Sequence, residues 1–501
     1  MASGRDTTPQ VRAAAWLVAF LAALSTSEVE PFTSNQETYL VRAVARAREG
    51  AILNRDWFVR TRDPVPLFTR IAEPVVAAGP WAMWLVNAAL GAAFLVALTQ
   101  IACGAARRSP AREPGSVLGW VSLFGLIWVA VPGLLRSLVF DGLAGQRAFS
   151  EYLQPSNAGV LLVAAAWLAL NRRSISAVLL GATSAWIHPT YALSSVLFTA
   201  GVCWADWRFG ERRQSVASRG LAGLVAIAPP ALVSMREFAP TSAAIAFRAG
   251  QVLVAERLPH HALIASWGNA EAVLRLAPIV VALAVIRGRQ QALFIAWTAL
   301  TLAATALVSV ANRPQLLLLF PWRATVWLIP AAAALLLGHT IAILLKDRAK
   351  WILVCLGPLL AACSYRFVRG ESHHGPDGDQ GVALARKIQP SERRRWSLLV
   401  PVDWEAVRLN APAAIYVDFK SHPYQDAEVL AWWDRVSLAR AVYSPGDKGC
   451  GALSRLLEAE PRLGFVLAPA SADLARCAPL SRADSDRDGI LYCVRGRTSA
   501  E

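Results

Sequence analysis

Two carboxylates, three histidines and a few arginines and glutamines are the residues of this chain with the most chemical potential. Asn35-Gln-Glu-Thr-Tyr carries Glu37 and Leu53-Asn-Arg-Asp-Trp-Phe carries Asp56. A carboxylate set among amides and aromatic rings can take a proton from an attacking hydroxyl, or join in holding a divalent cation. It can equally cap a helix or pair with an arginine. Glu37 and Asp56 are the candidate catalytic residues. A divalent cation would suit them, although no C-x-x-C pair marks a structural metal site and no cofactor signature stands out.

The candidate substrate-binding residues fall in four further segments. Asp141-Gly-Leu-Ala-Gly-Gln-Arg147 frees its backbone with glycines and offers Gln146 and Arg147, while Tyr152-Leu-Gln-Pro-Ser-Asn157 adds Gln154. Ser156 or Asn157 would also serve simply to cap the next helix. Ala185-Trp-Ile-His-Pro-Thr-Tyr191 puts His188 beside a chain-breaking proline, and Arg257-Leu-Pro-His-His261 supplies His260 and His261. A lone histidine in an apolar stretch more often fills a hydrogen-bonded core position than binds a ligand. Adjacent histidines diverge on a regular element, so only one of the pair could join His188 in space. Asn312-Arg-Pro and Phe320-Pro-Trp-Arg323 place Arg313 and Arg323 on either side of a leucine run. An arginine at a membrane boundary can snorkel, or bind a phosphate bidentately.

The elements that position these residues are set by composition. The chain has 501 residues, 55% of them hydrophobic and only 17% charged, with a mean hydropathy of +0.39. Such a chain is too apolar and too long for one water-soluble domain. Its net charge of +15 would suggest nucleic acid if the apolar runs were ignored. Residues 1–365 hold 31 Lys+Arg against 17 Asp+Glu, however, and residues 366–501 hold 19 against 18. The excess therefore belongs to the apolar half. Eleven apolar runs are candidate spans, at about 13–27, 74–102, 117–140, 158–170, 175–187, 190–205, 220–238, 272–286, 290–310, 324–345 and 351–365. The segment 160–204 is cut by Asn171-Arg-Arg and His188-Pro, so its pieces need not all cross.

With the N-terminus inside, the short loops at 1–12, 107–113, 171–173, 206–219, 287–289 and 346–350 carry 16 Lys+Arg and 5 Asp+Glu, the bias expected of cytoplasmic loops. No nucleic-acid partner is then needed to explain the charge. An odd span count places the C-terminal segment outside, and the first span lacks a small-residue cleavage site that would make it a removable signal. The expected plan is a transmembrane domain over 1–365, with a long first external loop at 28–73, and an extracytoplasmic α/β domain over 366–501. The loop segment beginning at Tyr39 has helical spacing with arginines on one side, which suits a helix lying along lipid headgroups, and 243–258 suits a second. In the C-terminal domain, 398–402, 414–419, 464–468 and 490–494 read as strands, and 426–441 and 451–460 as helices. Of its cysteines 450, 477 and 493, the pair 477 with 493 is favoured for one disulfide.

Asn35-Gln-Glu-Thr-Tyr, Asn54-Arg-Asp-Trp-Phe, Gly145-Gln with Gln154-Pro-Ser, His188-Pro-Thr-Tyr, Arg257-Leu-Pro-His-His, Pro321-Trp-Arg and Val417-Asp-Phe-Lys-Ser together resemble an uncharacterised bacterial family of polytopic membrane proteins with a C-terminal extracytoplasmic domain. More coarsely, the plan is similar to the GT-C membrane glycosyltransferases. That resemblance implies an α-helical polytopic membrane protein of about eleven spans in the bacterial inner membrane, with a small C-terminal α/β domain. It also implies transfer of a sugar from a polyprenyl-phosphate donor at the external face. Asp56 or Glu37 would then be the loop carboxylate, and Arg313 or Arg323 would hold the lipid phosphate. The chain departs from that plan in having no Asp-Asp, Glu-Asp or Asp-x-Asp pair in the first loop, where Glu28-Val-Glu30 is the nearest approach. The alternative class is a non-enzymatic membrane protein, either a transporter or an assembly protein whose external domain binds a partner. Acidic residues are almost absent from the spans, which counts against ion-coupled transport.

Overall fold

The computed structural model describes residues 8–27, 32–108, 116–345, 352–369, 380–445, 447–472, 474–487 and 489–497. Glu28 and Glu30 lie outside them, as do most of the linker-like stretch 370–380 and most of the basic loops 107–113 and 346–350. The chain divides into two compact units. The first comprises Met1–Val29, Met83–Met235 and Leu258–Glu371, and the second Glu30–Ala82, Arg236–Arg257 and Ser372–Glu501. This differs from the expected cut at residue 365: the first loop and residues 236–257 pack with the C-terminal segment.

The first unit is a helical bundle. Each of the eleven apolar runs contains a helix, because long runs of Leu, Ala and Val with no competing turn chemistry satisfy their backbone internally. Four segments are long and apolar enough to cross a membrane by length and composition: Pro80–Ala106, Arg213–Glu237, Gly288–Ala311 and Pro314–Leu345. Others are shorter, among them Pro9–Leu24, Val117–Ala130 and Ser174–Ile187. The run at 117–140 breaks where Val131-Pro-Gly separates Val117–Ala130 from Leu134–Phe140. The run at 74–102 likewise divides between Pro66–Ala78 and Pro80–Ala106 at Gly79-Pro80.

The bundle core is aromatic. Trp297 stacks on Phe198 at 5.1 Å and meets Trp327 edge-on at 5.0 Å, and its indole N–H donates to the Phe198 carbonyl at 3.0 Å. One end of the bundle is tied by charge. Asp206, fully buried, accepts from Arg219 at 2.7 Å and from Arg289 Nε at 3.0 Å, while Arg289 also reaches the Ala169 carbonyl and Ser174 Oγ. These contacts join the termini of helices Gly159–Leu170, Ser174–Ile187, Ala192–Arg208 and Gly288–Ala311.

The second unit is built on a four-stranded sheet, β1 (Ser397–Leu399), β2 (Leu463–Pro469), β3 (Leu480–Ser485) and β4 (Gly489–Val494), ordered β1-β2-β4-β3. The β1–β2 pair is parallel and the others antiparallel. Alternate residues serve two cores. Val466, Ala468, Tyr492 and Val494 face one cluster with helices Asp426–Val442 and Asp447–Ala459, and Phe465, Leu467, Leu491 and Cys493 face the other with Val407 and Trp404.

Three expectations are corrected here. The segment 414–419 is not a ladder strand but an extended stretch touching β1 through one bridge, Leu398 to Ile415. Its place is taken by β3, a polar edge strand, Leu-Ser-Arg-Ala-Asp-Ser, that carries no apolar run to announce it. The disulfide joins Cys450 to Cys477, with Cα atoms 5.2 Å apart, rather than Cys477 to Cys493. Strand alternation turns Cys493 into the opposite core from Cys477, out of bonding reach. Finally, Val41–Ala47 does not present its arginines along one exposed face. Arg42 is buried and donates to the Phe58 and Thr61 carbonyls and to Thr61 Oγ1, at 2.8–3.2 Å, so this helix is part of the unit's interior.

Candidate functional site

In the α/β unit, Asp56 is the N-cap of Trp57–Arg60. One carboxylate oxygen accepts the Phe58 N–H at 2.9 Å, and the other accepts Arg408 Nε at 2.9 Å and the Ile415 N–H at 3.0 Å. Arg408 bridges onward to Asp418 and to Ser421 Oγ, and Ser421 in turn meets Thr38 at 3.1 Å. All five side chains are buried. A charged chain of this kind survives burial because every charge is paired and bonded. Asp56 is therefore committed to holding the first loop onto the extended segment 415–421.

Glu37 immediately precedes Thr38 and is 4% exposed. Its ion-pair partner is Lys420 at 3.8 Å, which is itself 3.1 Å from Glu405. Desolvation and the neighbouring Glu405 push the Glu37 carboxyl up from its ordinary value to about 9, against the opposing pull of Lys420. It therefore holds its proton at neutral pH. Close by, Arg257 donates to the Lys420 carbonyl at 3.1 and 3.3 Å and lies over the Phe419 ring. His422 stacks on Tyr424 at 5.4 Å, and burial with the Arg257 charge lowers it to about 3. Glu405, Arg408, Asp418 and Lys420 were not among the expected site residues. The only local signal for them is Val417-Asp-Phe-Lys-Ser, three polar side chains in an otherwise buried extended stretch.

In the bundle, the turn 141–147 is a hub at the end opposite the Asp206 pairs. It is closed by the Asp141 to Arg147 bridge, and Arg147 Nε meets the Asp141 carboxylate at 3.2 Å. Gly145 adopts φ +65°, and a side chain on Gly142 would strike the Val326 amide at 2.7 Å, which explains both glycines. The turn collects its surroundings through its backbone. The Gly142 carbonyl takes Arg275 Nη1 at 2.7 Å, the Leu143 N–H donates to Thr325 Oγ1 at 2.9 Å, and the Ala144 carbonyl lies 2.8 Å from His261 Nδ1.

Gln146 is buried, and neither atom of its amide finds a partner among the described residues. Arg323 follows a turn whose first residue, Phe320, sits at φ 46° and ψ 58°, a left-handed conformation costly for an aromatic residue. Its guanidinium bonds Thr190 Oγ1, lies 3.4 Å from His188 Nε2 and covers the Tyr191 ring at 5.6 Å. No carboxylate among the described residues pairs with it.

The other expected residues separate. Gln154 donates to Ser150 Oγ at 2.8 Å within a buried network that also holds Asn157 and Asn87, a packing role. His188 is held by Thr190 and Arg323, whereas His261 is held by Ala144 and lies tilted against the exposed His260, with ring centroids 4.0 Å apart. Arg313 is exposed at the start of Pro314–Leu317. Among the described residues no group of three His, Cys, Asp or Glu could hold a metal ion. Arg275 escaped sequence reading because it falls inside an apolar run.

The sequence pattern of a domain of unknown function, DUF6798, matches residues 382–439. No curated protein matches the chain. Among solved structures the chain is similar to ArnT from Cupriavidus metallidurans bound to undecaprenyl phosphate, with a TM-score of 0.50 and 13% identity over 98% of both chains. It is also similar to ArnT from the same organism in the apo state, at 0.45 and 13% over 97% of both. At that identity the first likeness shows the fold: a helical multi-pass membrane protein of the GT-C type with a small C-terminal α/β portion, along nearly its whole length.

Proposed function

We propose that this protein is a glycosyltransferase that takes its sugar from a polyprenyl-phosphate-linked donor. The observation that carries the reading is Arg323, a guanidinium held by Thr190 and set over Tyr191, with no carboxylate partner among the described residues, in a chain sharing its fold with a protein crystallised with undecaprenyl phosphate. A planar cation in that setting suits a phosphate oxygen pair. In the reaction, an acceptor hydroxyl attacks the anomeric carbon and the carbon–oxygen bond to phosphate breaks. The bonding electrons leave on the phosphate, where Arg323 offsets the charge, and the hydroxyl proton goes to a carboxylate.

Of the two loop carboxylates, Asp56 already accepts three hydrogen bonds, and Glu37, protonated at neutral pH, accepts a proton only once ionised, as pH rises toward about 9. The basic loops would face the cytoplasm and the α/β unit the outside. The Cys450 to Cys477 disulfide supports that orientation, because such bonds persist in oxidising compartments. Replacement of Arg323 by Ala in the full chain should weaken binding of undecaprenyl phosphate by about 10- to 100-fold, as for loss of a charged hydrogen-bonding partner. Unchanged binding would remove Arg323 from the site.

A further inference from the structure

The bundle end that Asp206 ties together, opposite the turn 141–147, carries more arginine than its carboxylates can pair. The carboxylates described there, Asp206 and Glu211, are taken by Arg219 and Arg289. That leaves Arg107, Arg108 and Arg172 with no ion pair among the described residues. Chain position sets their depth. Arg107 and Arg108 directly follow Pro80–Ala106, a helix long enough to span, and Arg172 comes two residues after Gly159–Leu170. Cationic side chains just beyond the end of a spanning helix lie among lipid headgroups.

Local contacts bring the three together. Arg108 donates to the Gly104 carbonyl at 3.2 Å and to the Leu170 carbonyl at 3.4 Å, which joins the two helix ends. Partial desolvation, then the charges of Arg172 and Arg107, lower the Arg108 guanidinium from its ordinary value, as like charges held close do. All three residues are exposed. Arg172 also sits at φ +62°, a left-handed conformation that glycine takes freely and arginine takes at a cost. A strained arginine kept among like charges fits a ligand-holding role better than a packing one.

We infer that Arg107, Arg108 and Arg172 form a seat for the phosphate headgroup of an anionic phospholipid, beyond any part they take in orienting the chain. Guanidinium groups grip phosphate oxygens through paired N–H donors, and the acyl chains of the same molecule lie against the apolar helices that the arginines follow. A zwitterionic lipid carries the same phosphate with a cation attached, which three unpaired arginines disfavour. The seat is independent of the sugar-transfer reading.

The test uses full-length protein in nanodiscs of phosphatidylcholine with phosphatidylglycerol added, and native mass spectrometry to measure which lipid the released protein retains. Wild type should retain phosphatidylglycerol in preference to phosphatidylcholine. The combined variant Arg107→Gln, Arg108→Gln, Arg172→Gly should lower that preference by about tenfold, as for loss of charged hydrogen bonds. A control with the same charge removed at the same end, Arg212→Gln, Arg213→Gln, Arg287→Gln, should keep it. Arg172→Gly alone leaves the turn unstrained and should lower it by about threefold, which reads the seat even if the combined variant fails to fold. The inference is overturned if wild type shows no preference, if the control loses as much as the seat variant, or if Arg172→Gly and the combined variant both keep the preference.

Discussion

At the scale of single residues, Glu37 and Asp56 are two carboxylates of one loop given opposite treatment. Asp56 is paired with Arg408, both almost wholly buried. Asp56→Asn or Arg408→Ala leaves the other charge stranded, and the α/β unit should lose about 3–5 kcal/mol, read by denaturant or thermal unfolding. Any transfer activity per folded molecule of Asp56→Asn should stay near wild type; a drop of a hundredfold or more in fully folded protein would return Asp56 to the catalytic role.

Glu37 has a folded pKa of about 9 against an ordinary 4.5, so between these values the folded chain holds a proton that the unfolded chain has released. Its contribution to stability is complete below pH 4.5 and is lost as pH rises toward 9. Glu37→Gln should therefore flatten the decline in stability across pH 5–9. If Glu37 accepts the acceptor's proton, wild-type activity should climb with pH toward about 9, and the variant should fall by about 100-fold or more near pH 9, the gap narrowing at lower pH where Glu37 is protonated. A wild-type profile flat from pH 6 to 9 would contradict that role. Both carboxylates were visible in the sequence as acids among aromatics. What distinguishes them was not, since Arg408 lies 352 residues from Asp56 and only folding brings it there.

At the scale of elements, legibility followed apolar length. The eleven runs announce their helices because an unbroken apolar segment has few other ways to bury its backbone. Gly142 and Gly145 likewise mark the turn that carries Gln146. The polar edge strand β3 and the disulfide partner of Cys477 gave no such sign, because one depends on a neighbour's backbone and the other on which face of β4 a cysteine occupies. The Cys450 to Cys477 bridge closes a separation of 27 residues. Cys450→Ser should lower the stability of the α/β unit by about 2–4 kcal/mol, and mild reduction of the wild type should reproduce the loss. If reduction leaves unfolding unchanged, the bond is not formed in the native protein.

At the scale of the whole molecule, the charge of +15, which taken alone would suggest nucleic acid, is a feature of the apolar half, much of it in short basic loops, which supports reading it as an orientation signal. The two units each hold polar chemistry of their own: the hub around the turn 141–147 in the bundle, and a buried carboxylate with a raised pKa in the α/β unit. The central claim is that the chain transfers a sugar from a polyprenyl phosphate. Its most direct test is mass spectrometry of lipids and glycans extracted from cells in which the chain is deleted and then restored as wild type or as Glu37→Gln. The account predicts that one glycosylated product disappears on deletion while its polyprenyl-phosphate sugar accumulates. Wild type should restore that product, and an equally abundant Glu37→Gln protein should not. Identical products in all three strains, with normal expression, would contradict it.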